Sequence, residues 1–294
     1  MVAVIQPGPS RTVVVCPADA AGPGCHFSGD GGIQAAVDAA GDGDTVHLRA
    51  GRYHPRAYRD VAFQDLTIRG YVLVEGKSLT LSGEPGTVLD GGRGERASAI
   101  VVHDGDLTLR DLRIEGFRVR EPEDDIYDGH GVFVVDGRAA LDGVTFRANE
   151  KMALSIRGRS DVTVDRGRML DGHLGVWIEE DATLAIRDSV IRHNDSAGIA
   201  AYVSSRVDVE RCVFEANLDD GVYTAEAAAA EVRDSLFLRN GPYAVRGVDD
   251  SRLRVRASWF HGNAAVANDG EGATPVLSGI TVLDPDNPDG EPSR

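Results

Sequence analysis

The chain has 294 residues, of which 42% are hydrophobic and 6% aromatic, and its formal net charge is −16. This acidity favours solubility and repels nucleic acid, so we expect no nucleic-acid partner. The apolar runs are short and interrupted by charges, so we expect no membrane-spanning segment. No secretory signal is visible, because Met1 is followed by neither a basic stretch nor a long apolar run.

Two of the three cysteines lie close together near the N-terminus. Cys16 and Cys25 flank a stretch rich in Gly and Pro, where a disulfide would fasten a loop. A bridge would favour a periplasmic or secreted location. The alternative is two free thiols in an intracellular protein. Three cysteines are too few for a metal site of the paired Cys-x-x-Cys type.

The first predicted element is a helix within residues 32–40. Ile33, Val37 and Ala40 fall on one helical face. That apolar face can close the open end of a coil of strands.

The rest of the chain repeats with a period of about 23 residues, which predicts a solenoid. A large apolar residue closes each unit, and from Phe146 onward it recurs in steps of 22 or 23 positions: Ile114, Phe146, Met169, Ile191, Phe214, Phe237 and Phe260. Five positions earlier stand Leu109, Leu141, Val164, Ile186, Val209, Val232 and Val255. Seven positions earlier stand Leu107, Ala139, Val162, Leu184, Val207, Ala230 and Leu253. Two apolar columns two residues apart predict strands with one buried face.

Further columns of the repeat predict turns and small buried positions. Asparagines follow the closing residue by three positions at Asn149, Asn194, Asn217, Asn240 and Asn263, with Gly172 in the one gap. Stacked asparagines can bond to one another and to the backbone of a turn. Cys212 lies in a column of mostly small residues, so we expect a buried structural thiol.

The segments GIQAAVDAA (residues 32–40), GDTVHL (43–48) and AGRY (50–53) resemble the entry of the pectin-lyase-like superfamily, a helix followed by the first strand. The segment VLDGG (88–92) resembles a common early rung of that superfamily. The resemblance extends over about residues 28 to 283. It implies an all-β fold, a single-stranded right-handed parallel β-helix with an N-terminal capping helix. We therefore expect an N-terminal segment and helix over 1–43, the β-helix over 44–283 and a disordered tail over 284–294. The superfamily contains lyases, hydrolases, esterases, epimerases and inactive proteins, so it implies the fold far more than the reaction.

One interval of the repeat is about nine residues too long. It lies between Ile114 and Phe146, and the extra residues fall around Val119 to Asp128. Inserted residues in a solenoid become loops on one face, where function often resides. The alternative is a solvated acidic loop. Within and after it, Asp124-Asp125 and Gly129-His130-Gly131 are similar to motifs of polygalacturonases, but here they crowd onto one rung, so we treat the match as accidental.

The strand after each asparagine turn places aromatic residues on its outward side. Phe133, Trp177, Tyr202 and Tyr223, with Glu179, are therefore predicted to bind substrate, because aromatic faces pack against sugar rings. Shielding of these aromatics by the inserted loop is the alternative. Ionisable residues enter the same face from the turns, and we choose as catalytic candidates Asp128, His130, Lys151, Arg157 and His173.

These residue types fit more than one reaction. A cation beside a neutral base suits β-elimination or epimerisation of a uronate. Lys151 and Arg157 could form a positive island that attracts such an anionic sugar. Asp219 and Asp220 could act as acid and base in hydrolysis, but adjacent strand residues point in opposite directions, which argues against that pair.

Three hypotheses follow. The first is a polysaccharide lyase, epimerase or hydrolase that acts beside the inserted loop. The second is a carbohydrate-binding or surface-structural β-helix without catalysis, and the third is a β-helix recruited to small-molecule catalysis. No cofactor is certain. Calcium is a candidate because acidic residues are plentiful, although their convergence cannot be read from the sequence.

Overall fold

The computed structural model describes residues 10–92, 96–119, 126–268 and 273–283. Over these residues the chain forms a right-handed parallel β-helix, which confirms the predicted fold. Each complete turn supplies one strand to each of three sheets, called A, B and C. In one turn, Val132–Val135 lies in sheet C, Arg138–Asp142 in sheet A and Thr145–Arg147 in sheet B. The predicted disordered tail over 284–294 lies outside the described residues.

Strand bounds within the described residues are as follows. Sheet A contains β1 (Thr12–Cys16), β2 (Phe27–Ser28), β3 (Asp44–Leu48), β7 (Ser78–Gly83), β10 (Asp106–Arg110), β14 (Arg138–Asp142), β17 (Asp161–Asp165), β20 (Thr183–Arg187), β23 (Arg206–Glu210), β26 (Ala229–Arg233), β29 (Arg252–Arg256) and β31 (Val276–Ser278). Sheet B contains β4 (Gly51–Tyr53), β8 (Thr87–Asp90), β11 (Arg113–Glu115), β15 (Thr145–Arg147), β18 (Arg168–Leu170), β21 (Val190–Arg192), β24 (Val213–Glu215), β27 (Leu236–Leu238), β30 (Trp259–His261) and β32 (Thr281–Leu283). Sheet C contains β5 (Arg59–Phe63), β6 (Leu66–Glu75), β9 (Ser98–His103), β12 (Ile126–Tyr127), β13 (Val132–Val135), β16 (Met152–Arg157), β19 (Leu174–Ile178), β22 (Ile199–Ala201), β25 (Val222–Thr224) and β28 (Val245–Gly247).

The predicted apolar columns form the core. In sheet A, Leu107 pairs with Ala139 and Ala139 with Val162, in the register that the repeat requires. In sheet B the rings of Phe214, Phe237 and Phe260 stack nearly parallel, with centroids 4.9 and 5.0 Å apart. The residues of these columns belong to one continuous buried cluster. Cys212 is buried within it, as predicted.

The asparagine column forms a hydrogen-bonded ladder along the solenoid. The Asn194 side-chain amide donates to Oδ1 of Asn217 at 2.9 Å, and Asn217 donates to Asn240 at the same distance. Asn240 continues the ladder to Asn263 at 3.1 Å. From Asn194 to Asn263 each side-chain amide thus donates to the next, and this confirms the stacking expected for these positions, whereas the amide nitrogen of Asn149 has no partner in the described part of the chain.

Three bends close each turn of the helix, and the residue at each bend has a left-handed backbone. Between sheets C and A these residues include Asp136, Glu180 and Val203, with φ between 48° and 65°. The columns between A and B and between B and C also contain Asp, Arg, Ala and His. Most L-residues adopt this conformation only at a cost of about 1–2 kcal/mol, so the inter-rung hydrogen bonds must offset it.

The N-terminal segment joins the solenoid earlier than predicted. β1 (Thr12–Cys16) pairs in parallel with both β2 and β3, so sheet A begins within residues 1–43. A short 3₁₀ helix, Ala18–Ala20, and the helix α1, Gly32–Ala39, lie between these strands. Ile33 and Val37 of α1 are buried in the main core. A disulfide joins Cys16 to Cys25 with a Cα–Cα distance of 5.8 Å, which confirms the predicted bridge.

Candidate functional site

The outer face of sheet C presents the column that the sequence predicted. Strand register places Phe133 beside Ser155, Ser155 beside Trp177, Trp177 beside Ala200 and Ala200 beside Tyr223. Because these residues are partners across parallel strands, their side chains share one face.

The early part of this face is covered by a hairpin that the sequence did not predict. β5 folds back antiparallel on β6, and its Val61 and Phe63 pack with Phe133 in a second hydrophobic cluster. Gln64, at the tip of the hairpin, donates to the Glu180 carboxylate at 3.0 Å. Phe133 is therefore fully buried, and the expectation that it is exposed to bind substrate is wrong.

Asp128 and His130 lie beneath the same cover, so neither reaches the solvent. His130 Nδ1 lies 3.1 Å from the Ser98 hydroxyl. Burial lowers the pKa of His130 to about 3, and the charges of Lys151 and Arg157 act in the same direction. The histidine is thus neutral at ordinary pH. The structure does not bring this predicted catalytic pair to an accessible surface. Within the predicted projecting loop at 119–128, residues 120–125 lie outside the described residues.

Arg157 does not form the positive island that the sequence suggested. Its side chain is only 11% exposed, and its Nε lies 2.5 Å from Glu179 Oε1. Its Nη2 is 3.5 Å from Glu180 Oε1. Two carboxylates therefore offset the one guanidinium charge. Burial raises the pKa of Glu179, which the charge of Arg157 partly opposes.

Beyond the hairpin, the outer face of sheet C opens into a groove of about 300 Å³. Trp177 and Tyr202 stack there with ring centroids 4.3 Å apart, and Tyr223 follows at 5.6 Å from Tyr202. We call these three rings the aromatic platform. The groove is lined by Met152, His173, Leu174, Trp177, Ser196, Ala197, Ala200, Tyr202, Asp219, Asp220, Tyr223, Pro242 and Arg246.

The two remaining catalytic candidates differ in their relation to the groove. His173 is exposed in the turn before β19, and it lines the groove. Lys151 is partly buried in the turn before β16, and it is not among the lining residues. The structure therefore brings His173 together with the aromatic platform, whereas Lys151 does not line the groove.

Asp220 is the acidic residue that the sequence reading set aside. Its side chain is only 5% exposed, while the adjacent Asp219 is exposed and accepts a hydrogen bond from Ser196 at 2.9 Å. Asp220 Oδ2 lies 3.9 Å from Arg246 Nη1, and Oδ1 has no hydrogen-bond partner. Burial raises the pKa of Asp220 to about 6, although Arg246 and the backbone N–H of Tyr243 oppose the shift.

Arg246 continues the outward column one rung beyond Tyr223. Its guanidinium lies over the rings of Tyr223 and Tyr243, at 5.5 and 5.6 Å from their centroids. Arg246 follows Tyr223 by 23 residues, the period of the repeat, but nothing in the sequence selected it as a site residue. The groove thus ends in a cation held by aromatic faces and a nearby carboxylate.

Two further expectations concern metals and membranes. Over the described ranges, no group of three or more Asp, Glu, His or Cys side chains is arranged to hold a metal ion. In that same part of the chain, no helix is both long enough and apolar enough to cross a membrane.

Comparison with known proteins defines the class. The family model for the right-handed β-helix region matches residues 98–279, and the chain belongs to this family. A comparison with curated proteins finds no match.

Several solved structures share the fold at low sequence identity. Pectate lyase Pel9A is 12% identical, with a TM-score of 0.61 over 90% of this chain and 79% of its own. Endo-xylogalacturonan hydrolase from Aspergillus tubingensis is 15% identical, with a TM-score of 0.55 over 92% and 93%. PfbA, a surface adhesin of Streptococcus pneumoniae, is 11% identical, with a TM-score of 0.52 over 86% and 88%. At these identities the likeness concerns the fold alone.

Proposed function

We propose that the groove on sheet C binds a saccharide and that the protein is a carbohydrate-active enzyme of the lyase, epimerase or hydrolase type. The observation that carries the proposal is the aromatic platform, in which Trp177, Tyr202 and Tyr223 follow one another on successive rungs. Sugar rings present C–H faces that pack against such π faces. The disulfide between Cys16 and Cys25 supports a periplasmic or secreted location.

The polar lining of the groove is suited to the edges of a sugar. His173, Ser196 and Asp219 stand beside the apolar surface of Leu174 and Ala197. A site with an apolar floor and a few polar groups fixes both the plane and the orientation of a ring. We assign proton transfer to His173, because it is the catalytic candidate that both lines the groove and reaches solvent.

Two proteins of similar structure support this proposal. A pectate lyase and a xylogalacturonan hydrolase both act on polysaccharides. A surface adhesin shares the same fold, so a groove that binds saccharides without changing them is the second candidate. Product formation separates the two.

Binding is measured by titration calorimetry, which needs no tryptophan in the groove and therefore serves the parent protein and the tryptophan variants alike. Oligosaccharides of neutral, uronic and amino sugars would be titrated into the protein and into two variants. Trp177→Ala should weaken binding by about tenfold, since packing of a ring against an aromatic face contributes roughly 0.5–1.5 kcal/mol beyond the apolar area that it buries. Trp259→Ala is the matched control, because Trp259 is 44% exposed on sheet B, away from the groove.

Turnover is measured on whichever saccharide binds. His173→Ala should abolish product formation while leaving the thermal midpoint nearly unchanged, because an exposed turn residue contributes little to the core. Full activity in this variant would rule out His173 as the proton-transferring residue. Binding without any product would favour the adhesin-like alternative. If no saccharide binds and a small molecule is converted, the third hypothesis replaces this one.

A further inference from the structure

The charges around the groove are mainly negative. Asp219 and Asp220 line it, and Glu179 stands in the outward column beside Tyr202. The cation nearest to Glu179, Arg157, is already paired with Glu179 and Glu180. Arg246 therefore remains as the guanidinium that lines the groove, against two lining carboxylates.

The ionisation of Tyr202 reports the same imbalance. Its pKa is raised to about 12, first by burial and then by Tyr223 and the negative charges of Glu179, Glu226 and Asp220. Three carboxylates, those of Glu179, Glu226 and Asp220, therefore act on the centre of the aromatic platform. A carboxylate ligand placed there would meet like charges on several sides.

Asp220 adds a second and independent indication. Its side chain is more than nine-tenths buried and lines the groove, yet Oδ1 has no hydrogen-bond partner. A buried acceptor without a donor is costly. A ligand that donates to the Asp220 carboxylate would offset this cost, and a cationic donor would also form the stronger, charge-assisted hydrogen bond.

The groove already contains one cation of the protein itself, the side chain of Arg246. At one end, the guanidinium of Arg246 lies over two tyrosine rings and 3.9 Å from Asp220. At the other end, Trp177 and Tyr202 offer the same kind of ring faces. Among the described residues, no side-chain cation lies over those two rings.

We propose that the groove selects a saccharide with free ammonium groups, an oligomer of an unacetylated hexosamine, with Asp220 as the residue that determines this specificity. The ammonium group would donate to the Asp220 carboxylate, which lines the groove, and lie against the aromatic platform, where cation–π attraction adds to the charge-assisted bond. This inference rests on the proposed saccharide function. A hexosamine has no carboxylate next to C5, so the inference also narrows the reaction to hydrolysis.

The test compares three ligands of equal length: a glucosamine tetramer, an N-acetylglucosamine tetramer and a tetragalacturonate. Titration calorimetry should show the glucosamine tetramer binding about tenfold or more tightly than its acetylated form, as one charge-assisted hydrogen bond implies. The preference should shrink when salt is raised from about 0.05 M to about 0.5 M, because salt screens the attraction between charges. Tetragalacturonate should bind most weakly.

Asp220→Asn should reduce the preference for the free amine to about threefold or less, while binding of the acetylated tetramer persists. Asp161→Asn is the matched control. It removes the same charge from sheet A, where Asp161 accepts a hydrogen bond from Thr183, and it should keep the full preference. Thermal unfolding of both variants verifies that they are folded.

The outcomes separate the two proposals. Equal binding of the free and acetylated tetramers, lost in Trp177→Ala, would overturn the amine specificity and leave the saccharide groove standing. Tighter binding of tetragalacturonate would have the same consequence. If none of the three ligands binds, and no other oligosaccharide does, both the inference and the proposed function fail.

Discussion

Replacing Asp220 by Asn should make the protein more stable at neutral pH. In the folded protein the pKa of Asp220 is raised from the ordinary 3.8 to about 6. The folded state therefore holds this proton more tightly than the unfolded chain does. As the pH rises from about 4 through about 6, this carboxyl lowers the free energy of unfolding, and above about pH 7 the loss is complete. Asn carries no charge to desolvate, and its side-chain oxygen can still accept from the Tyr243 N–H.

The size of the effect follows from the shift. Roughly two pKa units at 1.36 kcal/mol each give about 3 kcal/mol at high pH. For a chain of this length, that gain should raise the thermal midpoint by about 5 °C. Below about pH 4 the variant and the parent protein should unfold at nearly the same temperature, since Asp220 is then protonated in both states.

The assay is thermal unfolding followed by circular dichroism at pH values from about 4 to about 8. Subtracting the parent midpoint at each pH isolates Asp220 from other titrating groups. Asp219→Asn is the control, because that exposed neighbour should change the free energy of unfolding by no more than about 0.5 kcal/mol. If Asp220→Asn proves neutral or destabilising at pH 8, the carboxylate is already well paired and has no need of a ligand donor.

Four further predictions address other parts of the molecule. Phe214→Ala should lower the free energy of unfolding by about 3–5 kcal/mol, as measured by urea denaturation. The Phe214 ring stacks at 4.9 Å on Phe237, so its removal leaves a void between rungs. A loss below about 1 kcal/mol would contradict the burial of Phe214. Phe133→Ala should be similarly destabilising yet leave saccharide affinity unchanged at temperatures where it is folded, because the hairpin covers this residue. Alkylation under native, non-reducing conditions followed by mass spectrometry should label none of the three cysteines, and labelling of Cys16 or Cys25 would refute the bridge. Affinity for the glucosamine tetramer should rise from about pH 5 to about pH 6 as Asp220 ionises and fall again above about pH 7 as the ligand amines lose their protons, and Asp220→Asn should lack the rise.

The core could be predicted because the repeat identifies the buried positions. Apolar columns such as Leu109 to Val255 recur at fixed spacing, and strand pairing at about 4.8 Å requires them to stack. The bends could not be predicted in the same way. Their left-handed positions hold Asp136, Glu180, Val203 and other unrelated residue types. The conformation is imposed by stacking between rungs, which no single residue's preference reveals.

The site was predictable only where it follows the strand period. Trp177, Tyr202 and Tyr223 were selected because outward positions alternate with buried ones, and the register agrees. The same alternation explains the burial of Asp220. Asp219 and Asp220 do differ in exposure, as adjacent residues should. That difference argues against a carboxylate pair, but it leaves one member of the pair buried at the groove.

The position of the groove is set by what covers the solenoid rather than by the repeat itself. Every strand of sheet C turns one face outward, and on the early rungs the hairpin of β5 and β6 seals that face with Val61 and Phe63. The cover ends where Gln64 meets Glu180. Among the described residues, no strand covers the aromatic platform beyond that bond. Phe133 and Trp177 nevertheless occupy equivalent positions in the repeat. An outward aromatic column is therefore core under the hairpin and open groove past it, so the groove that we propose as the saccharide site lies beyond the contact between Gln64 and Glu180.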